Sequence, residues 1–190
     1  MPRVSNHKFY TAALQTYGQT PRGVHWLSQK HQTLRFDVIL SLLPSSLENI
    51  TIGDAGCGFG DFYTYLKQKP KEYVGFEIVK EFRTLAQKHT SQTIVLADIT
   101  QEKLPTKDYY ISSGALNILT PFETHQFIAN CYKSAKKGFI FNALYGEKSS
   151  QTYNYLSKKQ LENIAQTLNV KEVVYKEEYL DKDITVGFFK

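Results

Sequence analysis

A glycine-rich segment follows the first strand that we predict in the chain. It reads Asp54-Ala55-Gly56-Cys57-Gly58-Phe59-Gly60, and a helical pattern comes directly after it. Glycine lets the backbone turn tightly and lets a ligand approach main-chain atoms that a Cβ would shield. The G-x-G-x-G spacing, with no Lys-Ser or Lys-Thr after it, matches neither the dinucleotide fingerprint nor a P-loop. The segment therefore predicts a ligand-binding loop that is not built for phosphate.

Three carboxylates stand where predicted strands end. They are Asp54 after the first strand, Glu77 after the second and Asp98 after the third. In a doubly wound sheet these strand ends line one crevice, and an acidic residue after the second strand accepts hydrogen bonds from ribose hydroxyls. Three negative charges repel a pyrophosphate and favour a cation. The pattern predicts a ligand that carries positive charge and a ribose.

The elements that position these groups alternate along the chain. Strands are predicted at 50–54, 72–77, 93–97, 109–112 and 139–144, with helices at 61–68 and 79–88 between the first three. Two further helices have capping boxes at their starts, Thr120 with Glu123 and Ser157 with Gln160, and Gly138 is predicted to end the first of them. Runs at 170–179 and 184–189 predict a closing hairpin. This order predicts an α/β, Rossmann-like, doubly wound and mostly parallel seven-stranded sheet with an antiparallel last strand.

An N-terminal helical extension, residues 1–47, precedes the predicted core at 48–190. The extension carries a net charge of +4 (five basic residues and one acidic residue), whereas the rest of the chain carries +1. Its second helix is predicted at 28–43, ended by Pro44, with Leu34, Val38 and Leu42 facing inward. That orientation places Gln32 and Arg35 on the opposite face, where they either bind a carboxylate or face solvent. Residues 1–36 of the extension are predicted to act as a lid that selects an anionic acceptor or holds a ligand carboxylate.

Composition excludes several classes of protein. The chain has 190 residues, 42% of them hydrophobic, which is typical of a soluble globular protein, and no apolar run is long enough to span a membrane. The N-terminus lacks the apolar region of a signal peptide, so we expect a cytoplasmic protein. Two cysteines and five histidines without metal-ligand spacing predict no metal site. Basic residues that are mostly Lys do not indicate a nucleic-acid module, although they do not exclude nucleic acid, and the oligomeric state is not predicted.

Four segments of the core resemble the motifs of class I S-adenosylmethionine-dependent methyltransferases. The segments are DAGCGFG (54–60), VGFEIV (74–79), LADIT (96–100) and YYISSGALNIL (109–119). The extension is also similar to a small bacterial subset that has a W…Q-x-x-R-F segment before the fold, here Trp26, Gln32, Arg35 and Phe36. The resemblance implies S-adenosylmethionine as cofactor, S-adenosylhomocysteine as product and a methyl acceptor of small or medium size.

The resemblance also implies roles for individual residues. Asp54, Gly56 and Gly58 would hold the methionine part of the cofactor, and Glu77 the ribose. Asp98 with the Ile99 backbone would hold the adenine, and Ser113 with Gly114 the region beside the sulfonium. Trp26 and Arg35 would approach the cofactor or the acceptor. The complete predicted cofactor-binding set is Trp26, Arg35, Asp54, Ala55, Gly56, Cys57, Gly58, Gly60, Glu77, Ile78, Asp98, Ile99, Ser113 and Gly114.

The sequence leaves the acceptor and the attacking atom open. The fourth segment lacks the [DN]-P-P-[YF] sequence of methyltransferases that act on amino groups of bases or glutamine, and no paired cysteines indicate carbon methylation of a pyrimidine. No catalytic residue is predicted, because an activated methyl group requires orientation more than a dedicated base. Two alternatives remain at this point, an NAD(P)-dependent reductase and a non-catalytic S-adenosylmethionine-binding interaction module.

Overall fold

Strands and helices alternate through the computed structural model, which describes residues 5–26 and 28–190. The helices are α1 (Asn6–Tyr17), α2 (Gln29–Leu40), α3 (Asp61–Tyr65), α4 (Lys80–Thr90), α5 (Pro121–Ser134) and α6 (Lys158–Thr167). The strands are β1 (Thr51–Ala55), β2 (Glu72–Glu77), β3 (Thr93–Leu96), β4 (Lys107–Ser113), β5 (Ala135–Leu144), β6 (Glu172–Lys176) and β7 (Asp183–Phe189). Short 3₁₀ turns lie at Pro21–Val24 and Ala115–Ile118.

The strands form one sheet in the order β3-β2-β1-β4-β5-β7-β6. The first five strands run parallel, and β7 is antiparallel to both of its neighbours, β5 and β6. The predicted fold class, with its mostly parallel sheet, antiparallel last strand and N-terminal helices, is confirmed. The strand order reverses where β1 lies between β2 and β4, and open α/β sheets bind ligands outside the carboxyl ends of strands at such a point.

Both faces of the sheet are covered. Alternate residues of β5 separate the two cores: Phe139 and Phe141 pack under α5 and α6, whereas Ile140 packs on the face covered by α2 and α3. On that second face, Phe36 and Ile39 of α2 belong to the same core cluster as residues of β1 and β4. Helix α2 is therefore a layer of the core. The division of the chain at residue 47 stays a prediction. The predicted lid also stays a prediction, and its range, 1–36, includes residues 1–4 and 27, which lie outside the described residues.

The predicted orientation of α2 is wrong. Its buried residues are Gln32, Arg35, Phe36 and Ile39, not the predicted stripe of Leu34, Val38 and Leu42. Apolar residues alone defined that prediction, yet two polar side chains of this helix are buried because each has a charged partner elsewhere. Gln32 donates to Asp61, and Arg35 pairs with Asp183. A buried polar group is tolerated when it is hydrogen-bonded, so burial here follows tertiary partners instead of hydropathy.

The helix ends agree with the predicted capping boxes but not with the predicted stop at Gly138. Both capping boxes are present, at Thr120 and Ser157, which confirms those predictions. The predicted stop at Gly138 is wrong, because α5 ends at Ser134 and Gly138 lies within β5. A Cβ at Gly138 would lie 2.6 Å from the Phe189 ring of β7, so this glycine permits close strand packing. Among the described residues, no helix combines the length and apolar character needed to cross a membrane.

Candidate functional site

A cleft lies at the carboxyl ends of the central strands, where the strand order reverses. Its empty volume is about 1110 Å³, a figure that includes space open to solvent. Eleven of the fourteen predicted cofactor-binding residues line it. They are Trp26, Asp54, Gly56, Cys57, Gly58, Glu77, Ile78, Asp98, Ile99, Ser113 and Gly114.

The glycine loop (residues 54–60) enters the cleft in a conformation that favours glycine. Gly56 and Gly58 have φ angles of 76° and 57°, in the left-handed region that residues other than glycine rarely adopt. The N–H groups of Gly56 and Cys57 donate to the Phe76 carbonyl at 2.8 and 3.1 Å. These bonds hold the loop against the end of β2, so its main chain forms one wall of the cleft.

Glu77 connects that loop to the turn after β2. Its carboxylate accepts the Gly58 N–H at 3.0 Å and the Val79 N–H at 2.9 Å, and the residue is 5% exposed. Burial raises the pKa of Glu77 to about 7, and the hydrogen bonds from the backbone oppose this rise. A carboxylate has about four acceptor positions. Glu77 can therefore accept further hydrogen bonds from a ligand in the cleft.

Asp54 is the second buried carboxylate of the cleft. The Tyr73 hydroxyl donates to it at 2.6 Å. Burial, together with the nearby charges of Glu77 and Asp61, raises the pKa of Asp54 to about 7, and the Tyr73 bond opposes this rise. Two buried acids in one cleft make it costly to hold both ionised. A ligand that brings hydrogen-bond donors or positive charge relieves that cost.

Asp98 follows the end of β3 and lines the cleft there. Its Oδ1 atom accepts the backbone N–H and the hydroxyl of Thr100 at 3.0 and 2.6 Å, and its Oδ2 atom accepts from Gln101 at 3.0 Å. These contacts fix the turn that presents the buried Ile99 to the cleft. Asp98 is thus both a wall of the cleft and the residue that shapes it.

Ser113 is the last residue of β4 and Gly114 follows it, and both line the opposite wall of the cleft. The Ser113 hydroxyl oxygen is buried and has no hydrogen-bond partner among the described residues, which leaves it available to a ligand. Gly114 has a φ angle of 80°, and a Cβ there would overlap the ring of Trp26. The Arg35 guanidinium lies over the same ring, 4.4 Å from its centroid. Trp26 is therefore held between a glycine of the core and a side chain of α2.

Three predicted residues do not line the cleft. Ala55 is fully buried in the core. Gly60, with a φ angle of 81°, lets the chain turn into α3, and a Cβ there would overlap the side chain of Thr90. Arg35 points to Asp183 instead of the cleft. Cys57 does line the cleft, but burial raises the pKa of its thiol well above the usual range, so it is not a reactive thiolate.

Several cleft residues were not predicted. Phe9 and Tyr10 come from α1, Asp61 from the start of α3, and Tyr153 from the segment before α6. Asp61 accepts from Gln32 at 2.9 Å, which joins α2 to the glycine loop. The two adjacent aromatic residues in the first helix were the available signal for Phe9 and Tyr10. No local pattern marks Tyr153.

One family model is similar to the part of the chain that forms most of this cleft. A family model described as "Methyltransferase domain" matches residues 52–138, a little under half of the chain, from β1 into β5. These residues contain the glycine loop, Glu77, Asp98, Ser113 and Gly114. No curated protein matches the chain.

Several solved structures that share this fold are described as methyltransferases. A SAM-dependent methyltransferase from Leishmania major matches with a TM-score of 0.72 and 16% identity over 96% of this chain and 83% of that chain. Human N-acetylserotonin methyltransferase, in complex with SAM, matches with a TM-score of 0.72 and 16% identity over 98% and 60%. Magnesium protoporphyrin IX methyltransferase from Synechocystis, with bound SAH, gives 0.70 and 14% over 84% and 83%. Together with the family match, this fold confirms the resemblance to class I S-adenosylmethionine-dependent methyltransferases.

Proposed function

We propose that this protein is an S-adenosylmethionine-dependent methyltransferase that acts on a small or medium acceptor. One observation carries the proposal: the glycine loop, the buried Glu77 carboxylate, Asp98 and the free Ser113 hydroxyl all line one cleft. The family match over residues 52–138 supports it. The acceptors named for the similar structures, N-acetylserotonin and magnesium protoporphyrin IX, differ in size and chemistry and select none for this chain.

The residues present fit the cofactor's chemical groups. Glu77, with spare acceptor positions, would hold the ribose hydroxyls, and the Asp98–Ile99 turn would hold the adenine. The main chain of the glycine loop, beside Asp54, would hold the methionine part, where a positively charged amino group lowers the cost of the buried acids. When bound, S-adenosylmethionine supplies a methyl group on a positively charged sulfur, and loss of that methyl group leaves S-adenosylhomocysteine.

The protein's own contribution is orientation and exclusion of water. Phe9 and Tyr10 of α1 and residues 24–26 line the cleft, where they would shield the reacting atoms from solvent. Ser113 and Gly114 hold the wall next to the predicted position of the sulfonium. Alignment of the two reactants is the main requirement of an in-line methyl transfer, and none of these steps needs a dedicated base.

The two alternatives make different predictions. An NAD(P)-dependent reductase would bind a pyrophosphate, yet the G-x-G-x-G loop lies beside the carboxylates of Asp54, Glu77 and Asp98, which repel one. A non-catalytic binding module would bind the cofactor and transfer nothing to any acceptor. Cofactor binding therefore separates the methyltransferase from the reductase, and turnover separates it from the module.

Calorimetric titration with S-adenosylhomocysteine, and in parallel with NADH, is the direct test. We expect S-adenosylhomocysteine to bind, and at 100 times its Kd to stabilise the protein by about 2.7 kcal/mol. NADH binding without S-adenosylhomocysteine binding at millimolar concentration would refute the proposal. Cells with and without the protein are then compared by mass spectrometry of metabolites, RNA and proteins, and a missing methyl group identifies the acceptor.

A further inference from the structure

Five of the rings that line the cleft come from the N-terminal residues and from the segment before α6. We define the aromatic wall as Phe9, Tyr10, His25, Trp26 and Tyr153. The Phe9 and His25 rings stack with their centroids 3.9 Å apart at 20°, and the Phe9 and Tyr153 centroids are 6.3 Å apart. Tyr10 contacts His25 with centroids 5.7 Å apart. These contacts join four of the five rings, from α1, the following loop and the segment before α6, and Trp26 follows His25 in the sequence.

The aromatic wall borders both the proposed methyl-transfer site and solvent. At its inner end, Trp26 lies against Gly114, next to Ser113. At its outer end, His25 and Tyr153 are exposed. A molecule that enters past the exposed rings would therefore lie along the wall, with its inner end close to the Ser113 hydroxyl.

The charges of the cleft disfavour an anionic molecule. Its described lining contains four carboxylates, from Asp54, Asp61, Glu77 and Asp98, and no Lys or Arg. Arg35 lies behind Trp26, outside the lining, and is paired with Asp183. A negatively charged acceptor would meet repulsion from the carboxylates without a cation to offset it.

The position of Arg35 also disfavours a cation on Trp26, the innermost ring of the aromatic wall. A cation is attracted to the negative face of an aromatic ring, but one face of Trp26 is already taken by the Arg35 guanidinium at 4.4 Å. A second cation on the other face would bind a ring that is already polarised toward Arg35. An uncharged aromatic ring has no such penalty, and offset or edge-to-face ring contacts stabilise its binding beyond the effect of burial.

One polar group is available at the inner end of the wall. The Ser113 hydroxyl oxygen is buried, lines the cleft and has no partner among the described residues. An unpaired buried hydroxyl is costly. An acceptor with one hydrogen-bonding group next to its reactive atom would satisfy it, whereas a purely apolar molecule would leave it unpaired.

We propose that the methyl acceptor is an uncharged, planar aromatic molecule with a hydroxyl or ring-nitrogen group, bound along the aromatic wall with that group at Ser113. This inference rests on the proposed function for its meaning as an acceptor site. Binding to the aromatic wall is nevertheless measured without turnover, so the two proposals fail separately.

Calorimetry with four probes tests the inference on protein saturated with S-adenosylhomocysteine. The probes are naphthol, its anionic analogue naphthoate, its saturated analogue decalinol, and the cation choline. We expect naphthol to bind about tenfold more tightly than each of the other three, which corresponds to 1.4 kcal/mol. Tighter binding of naphthoate or choline, equal binding of decalinol, or no binding of naphthol would overturn the inference. If S-adenosylhomocysteine does not bind, the proposed function fails, and the same panel on the free protein still tests the wall.

Substitutions locate the naphthol site. Trp26→Leu should weaken naphthol binding about tenfold, whereas Trp26→Phe, which keeps a ring, should stay within about threefold of the wild type. Tyr153→Leu changes a side chain that is 37% exposed, so the fold tolerates it, and it should weaken binding about threefold. Phe122→Leu is the matched control, because Phe122 is 71% exposed and outside the cleft lining. Unchanged binding in both Trp26→Leu and Tyr153→Leu would contradict the proposed site.

Discussion

Arg35 forms a buried ion pair with Asp183, 148 residues further along the chain. Their side chains are 10% and 2% exposed. The other groups around the pair are also satisfied: Arg35 donates to the His31 carbonyl at 2.9 Å, and the Tyr179 hydroxyl donates to Asp183 at 2.9 Å. Because the guanidinium also lies over Trp26, the pair links the last strand to α2 and to the wall of the cleft.

Removal of Asp183 should destabilise the protein strongly. Asp183→Ala leaves the Arg35 charge buried without its partner, and breaking a buried pair costs about 3–5 kcal/mol. Chemical denaturation measures the loss. Asp181→Ala is the matched control, since Asp181 pairs with Lys182 at the surface, where the two side chains are 88% and 55% exposed, and exposed pairs contribute little. The double variant Arg35→Met/Asp183→Leu should recover part of the stability; equal stability of Asp183→Ala and Asp181→Ala would contradict the role of the pair.

Loss of the Glu77 carboxylate should weaken cofactor binding. Hydrogen bonds to a charged group are the strong kind, so Glu77→Ala should reduce S-adenosylhomocysteine affinity by about 2–3 kcal/mol. The affinity of Glu77→Gln should lie between those of the wild type and Glu77→Ala, because glutamine keeps one acceptor oxygen. Glu81→Gln removes a charge from the neighbouring helix α4, where Glu81 is 45% exposed, and should leave affinity unchanged. An unchanged Kd in folded Glu77→Ala would place the ribose elsewhere.

The pH should affect stability and cofactor binding in opposite directions. Burial raises the pKa of Glu77 from 4.5 to about 7 and that of Asp54 from 3.8 to about 7, so between these values the folded state holds more protons than the unfolded state. The free energy of unfolding of the free protein therefore falls as the pH rises from about 4 to about 7, and levels off above that. Cofactor affinity should rise over the upper part of this range, because the ionised Glu77 is the better acceptor for ribose hydroxyls.

Thermal unfolding and calorimetric titration at a series of pH values measure these two trends. Glu77→Gln removes one of the two titrating groups, so it should flatten both pH profiles. Asp54→Asn should flatten the stability profile as well. A stability profile that rises from pH 5 to pH 7 in the wild type would show that these two groups do not dominate the pH dependence.

Alanine at Gly114 should move Trp26. The φ angle of 80° is strained for alanine, and the added Cβ would overlap the indole ring, so we expect a loss of at least about 1 kcal/mol. Trp26 is the only tryptophan in the chain, so the change in its fluorescence reports on this contact directly. Gly146→Ala is the control: Gly146 also has a positive φ, 118°, but no atom lies within 4 Å of the added Cβ. It should lose stability without altering the fluorescence, and the same fluorescence in Gly114→Ala would contradict the packing.

Much of the architecture follows from local signals in the sequence. The bounds of β2 are those predicted, 72–77, and both capping boxes mark helix starts that the structure contains. The positive φ angles of Gly56 and Gly58 follow from the freedom that only glycine has. Parallel topology then brings Glu77 and Asp98 to one cleft, because parallel strands have their carboxyl ends at the same edge of the sheet.

The tertiary structure decided the features that depend on distant partners. The burial of Arg35 and Gln32 depends on Asp183 and Asp61, and hydropathy along α2 contains no information about either. Gly138 lies within β5, where the Phe189 ring of the neighbouring strand occupies the space that a Cβ would fill. The aromatic wall unites Phe9 with Tyr153, more than 140 residues apart in the sequence. The sequence by itself determined which local conformations each segment favours. Only packing decided which polar side chains could be buried and which rings could meet, because the free energies of burial and of ring contact depend on residues brought together by the fold.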